Sequence, residues 1–153
     1  MKTLPASQQD YLALDNQFCF ALYSASLAMT KTYKPLLDEL GLTYPQYLVM
    51  LVLWKQDDIL VKEIGEALYL DSGTLTPLLK RLEAVEIISR QRDASDERQV
   101  RIRLTETGRR LRRLAAKIPL EILCASGQDA SQLAKLRTQL QQLRSALQDA
   151  QAD

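Results

Sequence analysis

A chain of 153 residues that is 46% hydrophobic is long enough for one globular domain with a buried core, here expected to span 1–153. It contains no histidine, which removes histidine-built zinc sites, Ser-His-Asp triads and histidine pH switches together. Two cysteines without C-x-x-C spacing, five glycines and no Gly-rich phosphate loop argue against a cofactor, a metal and an enzyme; only a donor set of cysteines and carboxylates stays open for a metal. No apolar run approaches the roughly 20 residues needed to span a bilayer, so no membrane partner is expected. The opening MKTLPASQQDY lacks the apolar core of a signal peptide, and the expected location is cytoplasmic.

The first predicted helix runs from Asp10 to Lys31, with Leu14, Phe18, Leu22, Ser26 and Met29 along one stripe. A shorter helical segment, Lys34 to Leu40, ends at Gly41, a C-cap residue. Pro45 opens a helix that continues to Trp54. LVKEIGEAL then places Val61, Ile64 and Leu68 on one helical face. After the turn Tyr69-Leu70-Asp71 comes SGTLTPLLKRLEAV, whose buried face is Leu75, Leu78, Leu79 and Leu82. Its other face offers Ser72, Gly73, Thr74, Thr76, Lys80 and Arg81, groups suited to phosphates and base edges, with Ser72 also a plausible N-cap.

Two alternating segments follow, Ile88–Arg92 and Gln99–Leu104, joined by the polar loop DASDER. They read as a basic hairpin with Arg98 at the far edge of its loop and Arg101 and Arg103 turned away from the apolar face. An arginine at such a tip suits the negative minor groove. From Lys80 to Arg113 there are 11 Lys/Arg and 6 Asp/Glu, a local net of +5, whereas the whole chain carries only +1. This segregation points to duplex DNA although the overall charge does not. By themselves, paired amphipathic helices and a charged face also describe many small helical proteins.

Thr105 can N-cap a helix that starts at Glu106, carries Arg109, Arg110, Arg112 and Arg113, and runs towards Cys124. A last helix covers about Asp129 to Leu147, with Leu133, Leu136, Leu140, Leu143 and Leu147 in a heptad-like row. The fold class is therefore mainly α with a small β-hairpin wing. About 60–105 forms a winged helix-turn-helix core, and about 8–40 and 106–150 supply dimerisation helices. A homodimer fits a pseudo-palindromic operator, which two recognition helices read one DNA turn apart.

The helices, DSGTLTPLLKRLE and the wing DERQVRIRLTETG resemble the MarR family of dimeric winged-helix repressors. The segments F-C-F-x-L-Y, T-Y-K-P-L-L and L-T-Y-P-Q-Y are similar to its organic-hydroperoxide-sensing branch, OhrR, over nearly the whole chain. The resemblance implies that Cys19 is the peroxide-reactive thiol and that Tyr23, Tyr33 and Tyr44 are its phenolic partners, the last two reaching it from the other subunit. It also implies that Cys124 is the resolving cysteine of a two-cysteine subclass. Read from its neighbours alone, Cys19 between Phe18 and Phe20 is a small packed hydrophobe, and Cys124 an inert packing residue.

The chemistry suits those roles. A thiolate attacks the peroxide O–O bond, phenolic O–H groups stabilise a thiolate, and the sulfenic acid condenses with a second thiol. Tyr23 stands at i+4 from Cys19, on the same helix face. The implied function is a DNA-binding repressor released when organic or lipid hydroperoxide oxidises Cys19 and a disulfide forms to Cys124 of the other subunit. Two alternatives remain: a repressor released by a non-covalent phenolic or drug-like ligand, and a thiol peroxidase.

Overall fold

Asp71 and Thr105, two polar residues with short side chains, start the helices on either side of the hairpin. In the computed structural model, which describes residues 10–152, Asp71 Oδ1 accepts the Thr74 N–H at 2.7 Å. Thr105 Oγ1 accepts the Gly108 N–H at 3.1 Å. Each bond satisfies an orphan donor of a first helical turn. The expected cap at Thr105 is in place; at the other helix the cap is Asp71 rather than Ser72, which is already helical. The expectations about residues 1–9, the leader reading and the first residues of the dimerisation segment, lie outside the described residues.

The chain folds as two compact units, residues 1–115 and 116–153. In the first, two short 3₁₀ turns (Asp10–Leu12 and Leu14–Asn16) precede helix α1, Phe18–Asp38. The expected helix start at Asp10 and the break near Lys34 are both corrected. Ala13 and Gln17 are extended, which interrupts the early turns. Pro35 lies inside α1, in its last turn, and costs one hydrogen bond without ending the helix. The end comes where expected. Gly41 has φ +68°, its N–H bonds the Asp38 carbonyl at 3.1 Å, and the Leu42 N–H returns to the Leu37 carbonyl at 3.1 Å. That is a Schellman closure.

Helix α2 (Tyr44–Lys55) opens with a reciprocal box: Thr43 N–H donates to Gln46 Oε1, and Gln46 N–H to Thr43 Oγ1. Strand β1 (Ile59–Leu60) leads into α3 (Val61–Leu68). Tyr69 turns left-handed (φ +57°) and α4 follows (Ser72–Ala84). Strands β2 (Ile88–Arg92) and β3 (Val100–Leu104) form the hairpin, and α5 spans Glu106–Ala115. The sheet order is β1-β3-β2, all antiparallel, with Ile102 opposite both Ile59 and Arg90.

Leu37, Met50, Leu53, Ile64, Leu75 and Leu79 are among the fully buried side chains. Each contributes about 1.5–3 kcal/mol of hydrophobic stabilisation. The α4 face is as expected, with Leu78 half-buried.

The second unit holds α6 (Ile118–Ser126) and α7 (Ala130–Ala152). A single helix from Glu106 to Cys124 was expected. Instead it divides, because Pro119 has no N–H to return to the Ala115 carbonyl. At α7, Asp129 and Gln132 exchange side-chain-to-backbone bonds of 2.9 and 2.8 Å. Leu136, Leu140 and Leu147 of its leucine row are exposed in the single chain, as are Phe18, Leu22 and Met29 of α1. Among the described residues no helix is long and apolar enough to cross a membrane.

Candidate functional site

Helices α3 and α4 and the hairpin enclose one side of a cleft of about 810 Å³. Ser72 and Thr76 from α4 and Arg98 from the wing loop line it together, residues 22 to 26 positions apart in sequence. Gly73, Thr74, Lys80 and Arg81 are exposed on α4 outside this cleft, except that the Thr74 N–H is engaged by Asp71. The same N–H, with the Thr74 hydroxyl, holds the Asp71 carboxyl below the usual carboxylate range. The cleft adds Lys62 and Arg90, which the sequence reading missed. Lys62 was legible as the cation next to Val61 on the polar side of α3. Arg90 was not, since its contact with Glu83 of α4 joins elements only after folding.

The wing is tied by its own carboxylates. The Asp93 carboxyl accepts Ser95 and Arg101, which hold it below the usual range, and its residue is buried. Arg98 forms a two-pronged pair with Asp96, 3.0 and 3.1 Å, yet 90% of its side chain is exposed. Arg101 and Arg103 do turn away from the apolar face of β3, but both are engaged. Arg101 Nε lies 3.0 Å from Asp93 and Arg103 Nε 2.8 Å from Asp58. The Arg98 side chain is more exposed than that of Arg101 (31%) or Arg103 (48%).

Cys19 occupies the first turn of α1, which carries no acidic residue. It is free and exposed, so in the single chain it is not the packed hydrophobe its neighbours suggest. Tyr23, one turn on, is 62% exposed. Tyr33 and Tyr44 do come together, at 4.8 Å between ring centroids, and Tyr47 joins them at 5.9 and 6.3 Å. Burial, then the neighbouring Tyr44 and Tyr47 phenols, push Tyr33 from 10.0 up to about 12; burial also raises Tyr44 and Tyr47. The chain does not bring this cluster to its own Cys19. Both Cys19 and Tyr33 sit on α1, and 14 residues at 1.5 Å rise separate them by about 21 Å. Cys124, in the second unit, is likewise free and exposed. Tyr47 joins the cluster from α2, although no motif of the sequence singles it out.

Trp54 extends the aromatic row, 6.3 Å from Tyr47, and its Nε1–H donates to the Gly108 carbonyl at 2.9 Å. The row thus reaches the junction of the wing and α5. Among the described residues no cluster of His, Cys, Asp and Glu could hold a metal.

The family model for the transcriptional regulators SarA/Rot matches residues 31–113, from the end of α1 into α5. The organic hydroperoxide resistance transcriptional regulator of Bacillus subtilis (strain 168) is 51% identical over 138 residues, 90% of this chain and 94% of that protein. Among solved structures, reduced AbfR bound to DNA matches with TM-score 0.80 and 34% identity, over 94% of this chain and 98% of that one. Disulfide-formed AbfR matches with TM-score 0.60 and 33% identity, over 95% and 97%; AbfR is a protein of Staphylococcus epidermidis. With half its residues shared over almost the full length of a characterised relative, and the winged-helix fold of these structures, the chain belongs to the MarR-type transcriptional regulators, in the organic hydroperoxide resistance branch.

Proposed function

We propose that this chain works in the cytoplasm as a homodimeric repressor whose grip on double-stranded DNA is ended by organic or lipid hydroperoxide. The observation that carries the reading is the free, exposed Cys19 in a chain half-identical to a hydroperoxide resistance regulator. Residues 60–105 form the DNA-binding core. Ser72, Gly73, Thr74 and Thr76 approach base edges and phosphates of a pseudo-palindromic operator, Lys80 and Arg81 serve phosphates, and Arg98 enters the minor groove. Residues 8–40 and 106–150 dimerise, covering the apolar rows exposed on α1 and α7.

The redox steps balance without a cofactor. The Cys19 thiolate attacks the outer peroxide oxygen, the O–O bond breaks, and the alkoxide leaves as alcohol after gaining a proton. Tyr23 of the same helix and Tyr33 and Tyr44 of the other subunit donate to the thiolate. The single-chain separation of about 21 Å supports this division between copies. The Cys124 thiolate of the other subunit then attacks the sulfenic sulfur, forming S–S and expelling hydroxide as water. A disulfide needs Cα atoms roughly 4.4–6.8 Å apart, so its formation constrains both helices that carry the sulfurs. AbfR supports a disulfide route: it has been solved both reduced on DNA and with a disulfide formed. Each Cys19 takes one equivalent of hydroperoxide and then waits as a disulfide until a thiol reduces it, so the protein acts as a switch rather than an enzyme.

Gel shifts on a selected operator duplex test the reading. Wild-type protein should release DNA on addition of cumene hydroperoxide and rebind after dithiothreitol. Cys19→Ser should bind and stay bound. A Cys19→Ser protein that still lets go under hydroperoxide defeats the thiol mechanism, and release by a phenolic ligand instead selects a non-covalent sensor.

A further inference from the structure

Strand β1 pairs with the wing over two residues only, Ile59 with Ile102 and Leu60 with Arg101. So short a ladder gives the hairpin little hold on the helix-turn-helix. A second attachment stands beside it. The turn before β1 carries Asp57 and Asp58, and Asp58 is left-handed at φ +59°, a conformation Asp tolerates better than most residues. This turns its backbone carbonyl to Arg101 Nη1 at 2.6 Å and its carboxylate to Arg103 Nε at 2.8 Å. Arg101 and Arg103 are alternate residues of β3 and share one face. Asp57 Oδ1 meanwhile accepts the Asp58 N–H at 2.7 Å and the Leu104 N–H at 2.8 Å, and Oδ2 takes Arg109 of α5 at 3.2 Å. Beyond the strand, Arg101 passes the constraint to Asp93 at the start of the wing loop.

We infer that the Asp57–Asp58 elbow is the positioning element of the wing, fixing through Arg101, Arg103 and the Leu104 N–H where Arg98 stands beside the recognition helix. The consequence for DNA rests on the proposed repressor function; the consequence for the wing does not. The elbow spends two of the hairpin's arginines inward. Their contribution to binding is then geometric, through the placement of Arg98, rather than a counterion-releasing contact of their own.

The test uses the full-length dimer with Asp58→Asn, which keeps the left-handed backbone but removes the charge. Hydrogen exchange without DNA should show faster amides across 100–104 and unchanged amides in α4. Operator affinity should fall about fivefold, the scale of partly exposed ion pairs, with the slope of log affinity against log salt unchanged. Arg103→Gln should give the same exchange pattern, and the double variant should be no worse than either. Cys19 oxidation by cumene hydroperoxide should proceed at the wild-type rate. Unchanged wing exchange, or loss of protection spread over α4, overturns the inference. So does tighter binding with a steeper salt slope, which would mean that the elbow withholds arginines from phosphates. If wild-type protein holds no duplex, the repressor reading falls and the exchange arm alone decides the elbow.

Discussion

Gly108 lets α5 dock on the root of the wing, and Gly108→Ala measures what that junction is worth. A Cβ there would stand 2.2 Å from the Ile87 carbonyl oxygen and 3.2 Å from Leu104 Cδ2. The first distance is about 1 Å inside any tolerable contact. The oxygen has little freedom to retreat, because it already accepts the Thr105 N–H at 3.1 Å and shares the single Thr105 hydroxyl proton, at 2.9 Å, with the Glu86 carbonyl at 2.6 Å. Nor can Gly108 withdraw cheaply, since its own carbonyl accepts the Trp54 indole N–H. Relief therefore strains or breaks two or three hydrogen bonds at about 1 kcal/mol each, besides the cost of overpacking, for a total of about 3–5 kcal/mol. In a chain of this size that lowers Tm by roughly 10 °C. Gly41→Ala is the control. There the site is open but φ is +68°, and the cost is the backbone penalty of roughly 1–2 kcal/mol, about 3–5 °C. Thermal melts followed by far-UV circular dichroism, at one protein concentration because dimerisation shifts Tm, compare the two. A Gly108→Ala melt within about 3 °C of wild type, or less affected than Gly41→Ala, would refute the packing argument.

Arg98→Ala should weaken operator binding and reduce the salt slope by about one counterion, measured by fluorescence anisotropy from low to moderate salt. Removing the Arg98 side chain also takes from Asp96 the guanidinium that chiefly holds it below the usual carboxylate range, leaving the residue-98 backbone N–H at 3.1 Å and Gln99 at 3.4 Å as its donors. Absorbance titration of the phenols should show a last tyrosine ionising near pH 12, absent in Tyr33→Phe. Since the folded value is raised, the neutral cluster's contribution to stability is complete below pH 10 and is lost as pH rises through about 12; a titration finished by pH 11 contradicts the burial. Cys124→Ser should give no intersubunit cross-link on a non-reducing gel and should stay on DNA under hydroperoxide when no small thiol is added; a cross-link that persists would assign the resolving role elsewhere, and release without one would uncouple the disulfide from DNA binding.

The helix-turn-helix was readable because Ile64, Leu75, Leu79 and Leu82 recur at helical spacing and face one core. The hairpin was readable from its two-residue alternation, and Gly41 and Thr105 from local backbone needs. What escaped depends on partners distant in sequence. Ile59–Leu60 is too short to show a period and becomes a strand only because Ile102 lies across from it. Asp57 and Asp58 look like a solvated acidic turn until β3 brings Arg101 and Arg103 to them from 43 and 45 residues away, and the Leu104 N–H from 47. The break before α6 was written in Pro119, but the arginine-rich run ahead of it resembled uninterrupted helix. The site divided in the same way. Cys19 and its proposed phenolic partners rest on resemblance, while the meeting of Tyr33, Tyr44 and Tyr47 followed from the close of α1 at Gly41, which folds α2 back beside it.

The bare leucines of α7 set a condition on how the protein comes into being. If α7 dimerises as proposed, a newly made copy leaves the ribosome with Leu136, Leu140 and Leu147 facing water until it meets its twin. At low abundance that encounter is slow, and solitary chains are exposed to proteases and to sticky neighbours. The supply of working regulator should therefore rise more steeply than its messenger, with something near the square of the dose when copies are few.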